Sequence, residues 1–268
     1  MPKNNDIIKE NLLQTMSYFH SFCTTYNLEY SLIGGSLLGA VRHQGFIPWD
    51  DDIDIVMPRS DYDRLKQLQS QISAPYELLD SSKDPNYIYP FIKMTNSKLI
   101  VQESFYKPFT SGVWIDIFPL DYTFSNKSLQ RKHFFVVDIF RKALILKHGA
   151  FKLSKRSNLM TNFLKKTYPI AALIPSSFFS FAFYQLESIP YKYLGQKQNL
   201  ANLYGTWKEL EVAPKSLFNE RKLYKFENHH FWGIKNADFW LSKVYGNYME
   251  LPPEHKRTTH IGHIVSNK

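Results

Sequence analysis

Between Trp49 and Pro58 the chain reads Trp-Asp-Asp-Asp-Ile-Asp-Ile-Val-Met-Pro, which places Asp50, Asp51, Asp52 and Asp54 within five residues. A solvated acidic turn has no use for Ile53 and Ile55, whereas a strand with unlike faces alternates in this way. With a period of two, Asp52 and Asp54 project from one face and Asp51 from the other. Two ionised carboxylates about 4 Å apart repel by roughly 4 kcal/mol at an effective dielectric of 20. A fold that keeps them together must tolerate that repulsion or supply a cation. Oxygen ligands without a nearby Cys or His suit Mg2+ or Mn2+, held by a few carboxylates, waters and substrate phosphates. An EF-hand is excluded because Ile55 stands where its loop requires glycine and Asp61 where it requires glutamate.

Two further features surround this segment. Tyr30 to Ile33 is a short run ending at Gly34-Gly35, and helix formers follow from Leu37 to His43, so the expected order is strand, glycine turn, helix. Backbone N–H groups and the helix dipole at such a turn can face a phosphate, although a lone Gly-Gly is also the mark of a plain tight turn. Asp116 sits between Ile115 and Ile117 in a strand-like run from Val113 to Phe118, where an unpaired carboxylate would be costly, and Pro119 is expected to end that strand. Elsewhere the spacing predicts an amphipathic helix over Asp6 to Tyr26. It also predicts a helix over Asp61 to Ile72 capped by Ser60 or Asp61, a strand over Tyr87 to Met94, and a helix over Leu129 to Lys147.

Charge divides the 268 residues. Residues 1–123 carry 10 Lys and Arg against 15 Asp and Glu, net −5, and residues 124–268 carry 23 against 9, net +14, giving +9 overall. The expected division is therefore a catalytic core over 1–123 and a basic, mainly helical region over 124–268 that returns to the core with its tail. Such a basic half suits an anionic partner. A single cysteine, Cys23, excludes an intramolecular disulfide and a Cys-rich zinc site, and suits a reducing compartment. Met1 to Glu10 lacks the apolar core of a signal peptide, which predicts the cytosol. Tyr168 to Leu186 is the most apolar window, yet Pro169 and Pro175 interrupt it and it falls short of a membrane span. It is either a buried helical hairpin or an interfacial element flanked by Lys165 and Lys166.

The stretch Gly-Ser-Leu-Leu-Gly-Ala-Val-Arg-His-Gln-Gly-Phe-Ile-Pro-Trp-Asp-Asp-Asp-Ile-Asp, residues 35–54, resembles the LicD family, related to fukutin-type proteins within the nucleotidyltransferase superfamily. Trp114 to Asp121 and Tyr245 to Arg257, with its Leu-Pro-Pro-Glu-His-Lys-Arg run, are similar to the same family, while residues 124–240 carry no such signature. His255 stands where an acidic residue is common. The resemblance implies an α+β fold with a nucleotidyltransferase-like mixed sheet and flanking helices. It also implies transfer of a phosphoryl-linked alcohol, phosphocholine foremost, from CDP-choline or a related CDP-alcohol to a sugar of a lipid-linked teichoic acid or other surface-glycan precursor.

By matching positions, the resemblance makes Asp52 and Asp54 ligands of Mg2+ or Mn2+, with Asp116 the third acid, as a further ligand or as general base. Gly34, Gly35 and Ser36 would hold donor phosphates, with Arg42 and Lys93 as candidate phosphate partners. Glu254, Lys256 and Arg257 become possible substrate contacts; His260 and His263 lie near them in sequence. An acceptor carried on lipid implies a cytoplasmic protein peripheral to the membrane, and the basic stretch Lys147, Lys152, Lys155, Arg156, Lys165 and Lys166 would gain about 1 kcal/mol per charge near an anionic surface. Two alternatives remain open. The same acids could transfer the nucleotide itself to a small molecule or RNA end, or the basic half could serve a non-catalytic adaptor for membrane or nucleic acid. No RNA- or DNA-binding signature accompanies that charge, and the clustered acids oppose a polyanion, so no nucleic-acid partner is expected.

Overall fold

The computed structural model describes residues 2–152, 158–195, 197–257 and 263–267. Its first element, α1 (Pro2–Thr25), buries Ile8, Leu12, Met16, Phe19, Phe22 and Cys23, the three-to-four spacing of one helical face. The chain then enters β1 (Ser31–Leu32), turns at Gly34 into α2 (Gly34–Arg42), and forms β2 (Asp54–Pro58) and α3 (Arg59–Gln67). No side chain caps α3: Pro58 occupies the cap position, and Asp61 instead accepts the Glu29 N–H at 3.2 Å. Asp61 therefore fastens the loop before β1 rather than the helix end that its sequence position suggests.

Three strands follow: β3 (Tyr76–Leu79), β4 (Ile92–Glu103) and β5 (Phe109–Thr123). The expected strand over Tyr87 to Met94 begins only at Ile92, with Pro90 just before it, and runs on to Glu103. β5 does not stop at Pro119. The Asp116 N–H donates to Ile53 on the β2 side, so by alternation the amide position of residue 119 faces the opposite side. There β4 pairing ends at Ile117 and β6 (Asn199–Asn202) begins only at Leu120. Proline falls where no ladder partner is missed.

The rest of the chain alternates helices and strands. α4 (Lys127–Lys147) is capped by Asn126, whose side chain accepts the N–H groups of Ser128 and Leu129. Next come α5 (Asn158–Ala172), α6 (Ser176–Ser188), β7 (Ala213–Pro214), α7 (Lys215–Asn219), β8 (Arg221–Phe226), β9 (His229–Ile234), α8 (Ala237–Tyr245) and β10 (His263–Asn267). Both charge halves build one mixed sheet in the order β10-β4-β5-β2-β1-β9-β8, with β3 on β4, β6 on β5 and β7 on β6. β2 pairs parallel with β5, and β1 parallel with β9.

The helices after β5 do not form a buried hairpin. α5 and α6 meet at a bend of 95° and leave Leu159, Phe163, Ile170, Leu173 and Phe181 exposed, Leu159 to 84% and Leu173 to 81%. Phe179 and Phe183 anchor α6 in the core cluster, with half-buried Leu186 packed against it. Among the described residues no single helix is long and apolar enough to cross a membrane. Beneath the inner end of α6 lies a buried polar group. Arg59 donates from Nε and Nη2 to Asp121 at 2.7 and 2.5 Å and pairs with Glu187 at 3.1 Å, and the Tyr204 hydroxyl donates to Glu187 at 2.5 Å.

Candidate active site

A cleft of about 910 Å³ opens where β2 and β5 begin their pairing, and Asp50, Asp52, Asp54 and Asp116 all line it. Asp54 and Asp116 are direct partners across the parallel strands. Backbone bonds fix both: Ile33 N–H donates to the Asp54 carbonyl at 3.2 Å, Asp116 N–H to the Ile53 carbonyl at 2.8 Å. Ile53 and Ile55 are fully buried on the opposite face, so a slip of one residue would put isoleucine in the cleft and carboxylate in the core. Asp51, ahead of β2, is buried and outside the cleft.

The amino end of α2 faces the acids. No side chain caps it, and Gly34 and Gly35 line the cleft, leaving backbone N–H groups and the positive helix end for an anion. Both glycines are required sterically. Gly34 has a φ of +60°, and a Cβ there would lie 3.2 Å from Asp54 Oδ2; a Cβ on Gly35 would lie 2.6 Å from Asp50 Oδ2. Ser36 is buried and sits outside the cleft lining; its Oγ accepts the Asp54 N–H at 2.8 Å. It orients the strand end.

The cleft lining sets Arg42 and Arg141 against Asp50, Asp52, Asp54, Asp116 and Glu211. Burial, then the charges of Asp52, Asp116 and Asp50, hold the Asp54 carboxyl well above the usual carboxylate range. Burial also raises Asp50, against a hydrogen bond with Asp52 that lowers it. Asp116 has its own counter-ion. Lys93 Nζ lies 2.6 Å from it, 2% exposed, with the rings of Tyr89 and Trp114 4.1 and 4.2 Å away. Lys93 therefore sits behind Asp116 and outside the cleft lining, not where a donor phosphate would meet it.

The remaining expected residues divide. Arg42 lines the cleft, but its Nη1 donates to the carbonyls of Tyr248 and Glu250 at 2.6 and 3.2 Å, holding the C-terminal segment against α2. Arg257 stacks over Trp49 at 4.7 Å, and Glu254 is 91% exposed. Neither of these lines the cleft, although Pro252 and Pro253 do; the Lys256 side chain lies outside the described residues. His263 is exposed on β10 opposite Gln102, and His260 lies outside the described residues. Sequence reasoning did not find Glu211, Trp207 or Tyr245 as cleft residues. The first two come from the stretch without a family signature; burial pushes the Glu211 carboxyl up to about 7.

The donor set suits a hard divalent cation by chemistry: oxygen only, with no basic group among the strongest influences on Asp54. Among the described residues, no three His, Cys, Asp or Glu side chains are drawn together tightly enough to enclose an ion. The acids form a wall rather than a cage, as expected where waters and substrate phosphates complete the shell.

Residues 27–181 match the family model for LicD/FKTN/FKRP, nucleotidyltransferase domain. The chain is 30% identical over 259 residues to the lipopolysaccharide cholinephosphotransferase LicD of Haemophilus influenzae, covering 92% of each protein. The chain belongs to the LicD family. It is accordingly a LicD-type phosphotransferase, and the matched residues hold β1 to β5, with β2 and β5 parallel. Shorter matches join it to the uncharacterized protein RP689 of Rickettsia prowazekii, 46% identical over 61 residues, 23% of either chain, and to the human ribitol 5-phosphate transferase FKRP, 40% identical over 58 residues, 22% of this chain and 12% of that one.

Proposed function

We propose that this LicD-type enzyme transfers phosphocholine from CDP-choline to a sugar hydroxyl of a lipid-linked surface-glycan precursor. The observation that carries it is the pairing of Asp54 with Asp116 beneath the amino end of α2, joined to the full-length similarity to a cholinephosphotransferase. Asp52 and Asp54 are the residues that would hold a divalent cation, which when bound supplies charge neutralisation of the diphosphate and of the departing CMP. The N–H groups of Gly34 and Gly35 receive phosphate oxygens. The acceptor hydroxyl oxygen attacks the phosphorus bearing choline, the bond from that phosphorus to the CMP oxygen breaks, and Asp116 takes the hydroxyl proton. Lys93 Nζ, 2.6 Å from Asp116, holds that carboxylate in place.

The test is a donor panel with Mg2+, a lipid extract as acceptor, and CDP-choline, CDP-ribitol, CDP-glycerol or CTP. CMP released from CDP-choline, with choline phosphate appearing on the lipid fraction, is the expected result. Pyrophosphate from CTP would replace the reading with nucleotidyl transfer, and CMP from CDP-ribitol alone would change the alcohol.

Docking on the inner face of the membrane belongs to the same reading. The exposed apolar faces of α5 and α6 lie beside Lys147, Lys152, Lys165 and Lys166; Lys155 and Arg156 lie outside the described residues. Basic side chains attract an anionic surface and exposed Leu, Ile and Phe insert shallowly. Sedimentation with anionic vesicles at low salt and release at high salt are expected. Absence of binding to anionic vesicles would refute this docking.

A further inference from the structure

We infer that Trp207 and Tyr245 form a subsite for a quaternary ammonium group, so that the cleft distinguishes a trimethylammonium alcohol from an uncharged polyol. The inference rests on the phosphoryl-alcohol reading and names the part of the donor that this chain recognises. The two rings meet at 78° with centroids 5.4 Å apart, and both line the cleft. Perpendicular rings make an open corner whose faces carry the negative side of the aromatic quadrupole, the recognition surface for methylated ammonium.

Both walls are fixed. The Trp207 side chain hydrogen-bonds to the Tyr245 hydroxyl. The Trp207 backbone N–H donates to Glu211 at 3.0 Å, and Glu211 is 5% exposed. Glycine at position 205 permits this, since a Cβ there would lie 2.1 Å from Glu211 Oε1. The strongest charges acting on the Tyr245 hydroxyl, Asp54, Glu211 and Asp50, are all acidic. A cation is thus attracted to the corner by ring faces and carboxylates alike, whereas a glycerol or ribitol chain gains nothing from the faces.

The corner stands at the right distance from the chemistry. The Tyr245 hydroxyl and Asp54 Oδ2 lie 3.9 and 3.2 Å from the point where a Cβ on Gly34 would sit. The nitrogen of phosphocholine is four bonds from its phosphorus. A phosphate held at Gly34 therefore leaves the trimethylammonium group within reach of the corner.

The test compares CDP-choline and CDP-glycerol binding by calorimetry in the full chain, for wild type and for Trp207→Leu, Trp207→Phe and Tyr245→Leu. Trp207→Leu should weaken CDP-choline by roughly tenfold while CDP-glycerol changes by less than about twofold, and Trp207→Phe should restore most of the loss. Trp207 is 43% exposed, so its variants remain informative should Tyr245→Leu fail to fold. Equal losses for both donors would mean that the rings stack the cytosine and would overturn the inference, as would no loss for either. Wild type that binds CDP-choline selectively yet releases no CMP from it would sink the transfer reading and leave the subsite standing.

Discussion

Replacing Asp54 by Asn should abolish turnover and make the metal-free protein more stable. Asp54 lies across from Asp116 on parallel strands and two residues from Asp52. Lys93 offsets the charge of Asp116 at 2.6 Å, which leaves Asp52 the principal opponent. Asp52 stands in the segment just ahead of β2, and two carboxylates about 7 Å apart repel by roughly 2 kcal/mol at an effective dielectric of 20. With an unfolding entropy of about 2.1 cal/mol/K per residue, removing that repulsion corresponds to a rise in Tm of roughly 4 °C for a chain of this length. The gain has a pH signature. Because the Asp54 carboxyl is held above its ordinary value, the folded protein keeps a proton that the unfolded chain has lost, so wild type loses stability as pH rises from the ordinary value toward the folded one. Asn has no such proton, and the difference between the two should widen with pH. Thermal melts in EDTA at pH 6 and pH 8, followed by a Mg2+ titration, measure all of this. Mg2+ should raise the Tm of wild type and leave that of the variant nearly unchanged. A variant that melts at or below wild type at pH 8, or that gains as much from Mg2+, would refute the reasoning.

Arg59→Met should cost about 3–5 kcal/mol, because it leaves Asp121 and Glu187 buried without their cation. The loss should be smaller at pH 6 than at pH 8, since the Glu187 carboxyl, already pushed up to about 7 by burial, then takes up a proton; urea unfolding at the two pH values reads the difference. Glu211→Gln should flatten the pH dependence of stability between about pH 4.5 and 7, the window over which wild type loses roughly 3 kcal/mol for a carboxyl displaced this far; equal slopes in variant and wild type would contradict that assignment. Asp51→Asn should lower Tm with kcat nearly unchanged, Asp51 being buried and outside the cleft. A variant that melts normally yet is inactive would place the strand out of register by one.

What the sequence disclosed is what local rules govern. The opening of Asp52 and Asp54 on one cleft, although β2 begins only at Asp54, the turn at Gly34-Gly35 and the helix with buried Leu12, Met16 and Phe19 each follow from spacing within a few residues. The difficult elements depend on distant partners. Pro119 reads as a strand end until the gap between β4 and β6 is known. Lys93 reads as a phosphate ligand until Asp116 is found on the neighbouring strand. Trp207 and Glu211 reach the cleft through a loop whose course no periodicity encodes, and β8 and β9 come from a stretch that reads only as basic.

The parallel pairing of β1 with β9 joins Leu32 to Gly233, and this sets a schedule for synthesis. A chain emerging from the ribosome presents β1, β2 and the acid-bearing loop early, yet one side of β1 has no partner until Gly233 on β9 has been made. Until then the sheet keeps an open edge, the kind of surface on which nascent chains pair wrongly. The Arg42 clamp on Tyr248 and Glu250 closes later still. Competence for catalysis therefore waits for β9 and the clamp, and a ribosome that stalls before the β9 codons leaves behind a chain with its acids made and no finished cleft to hold them.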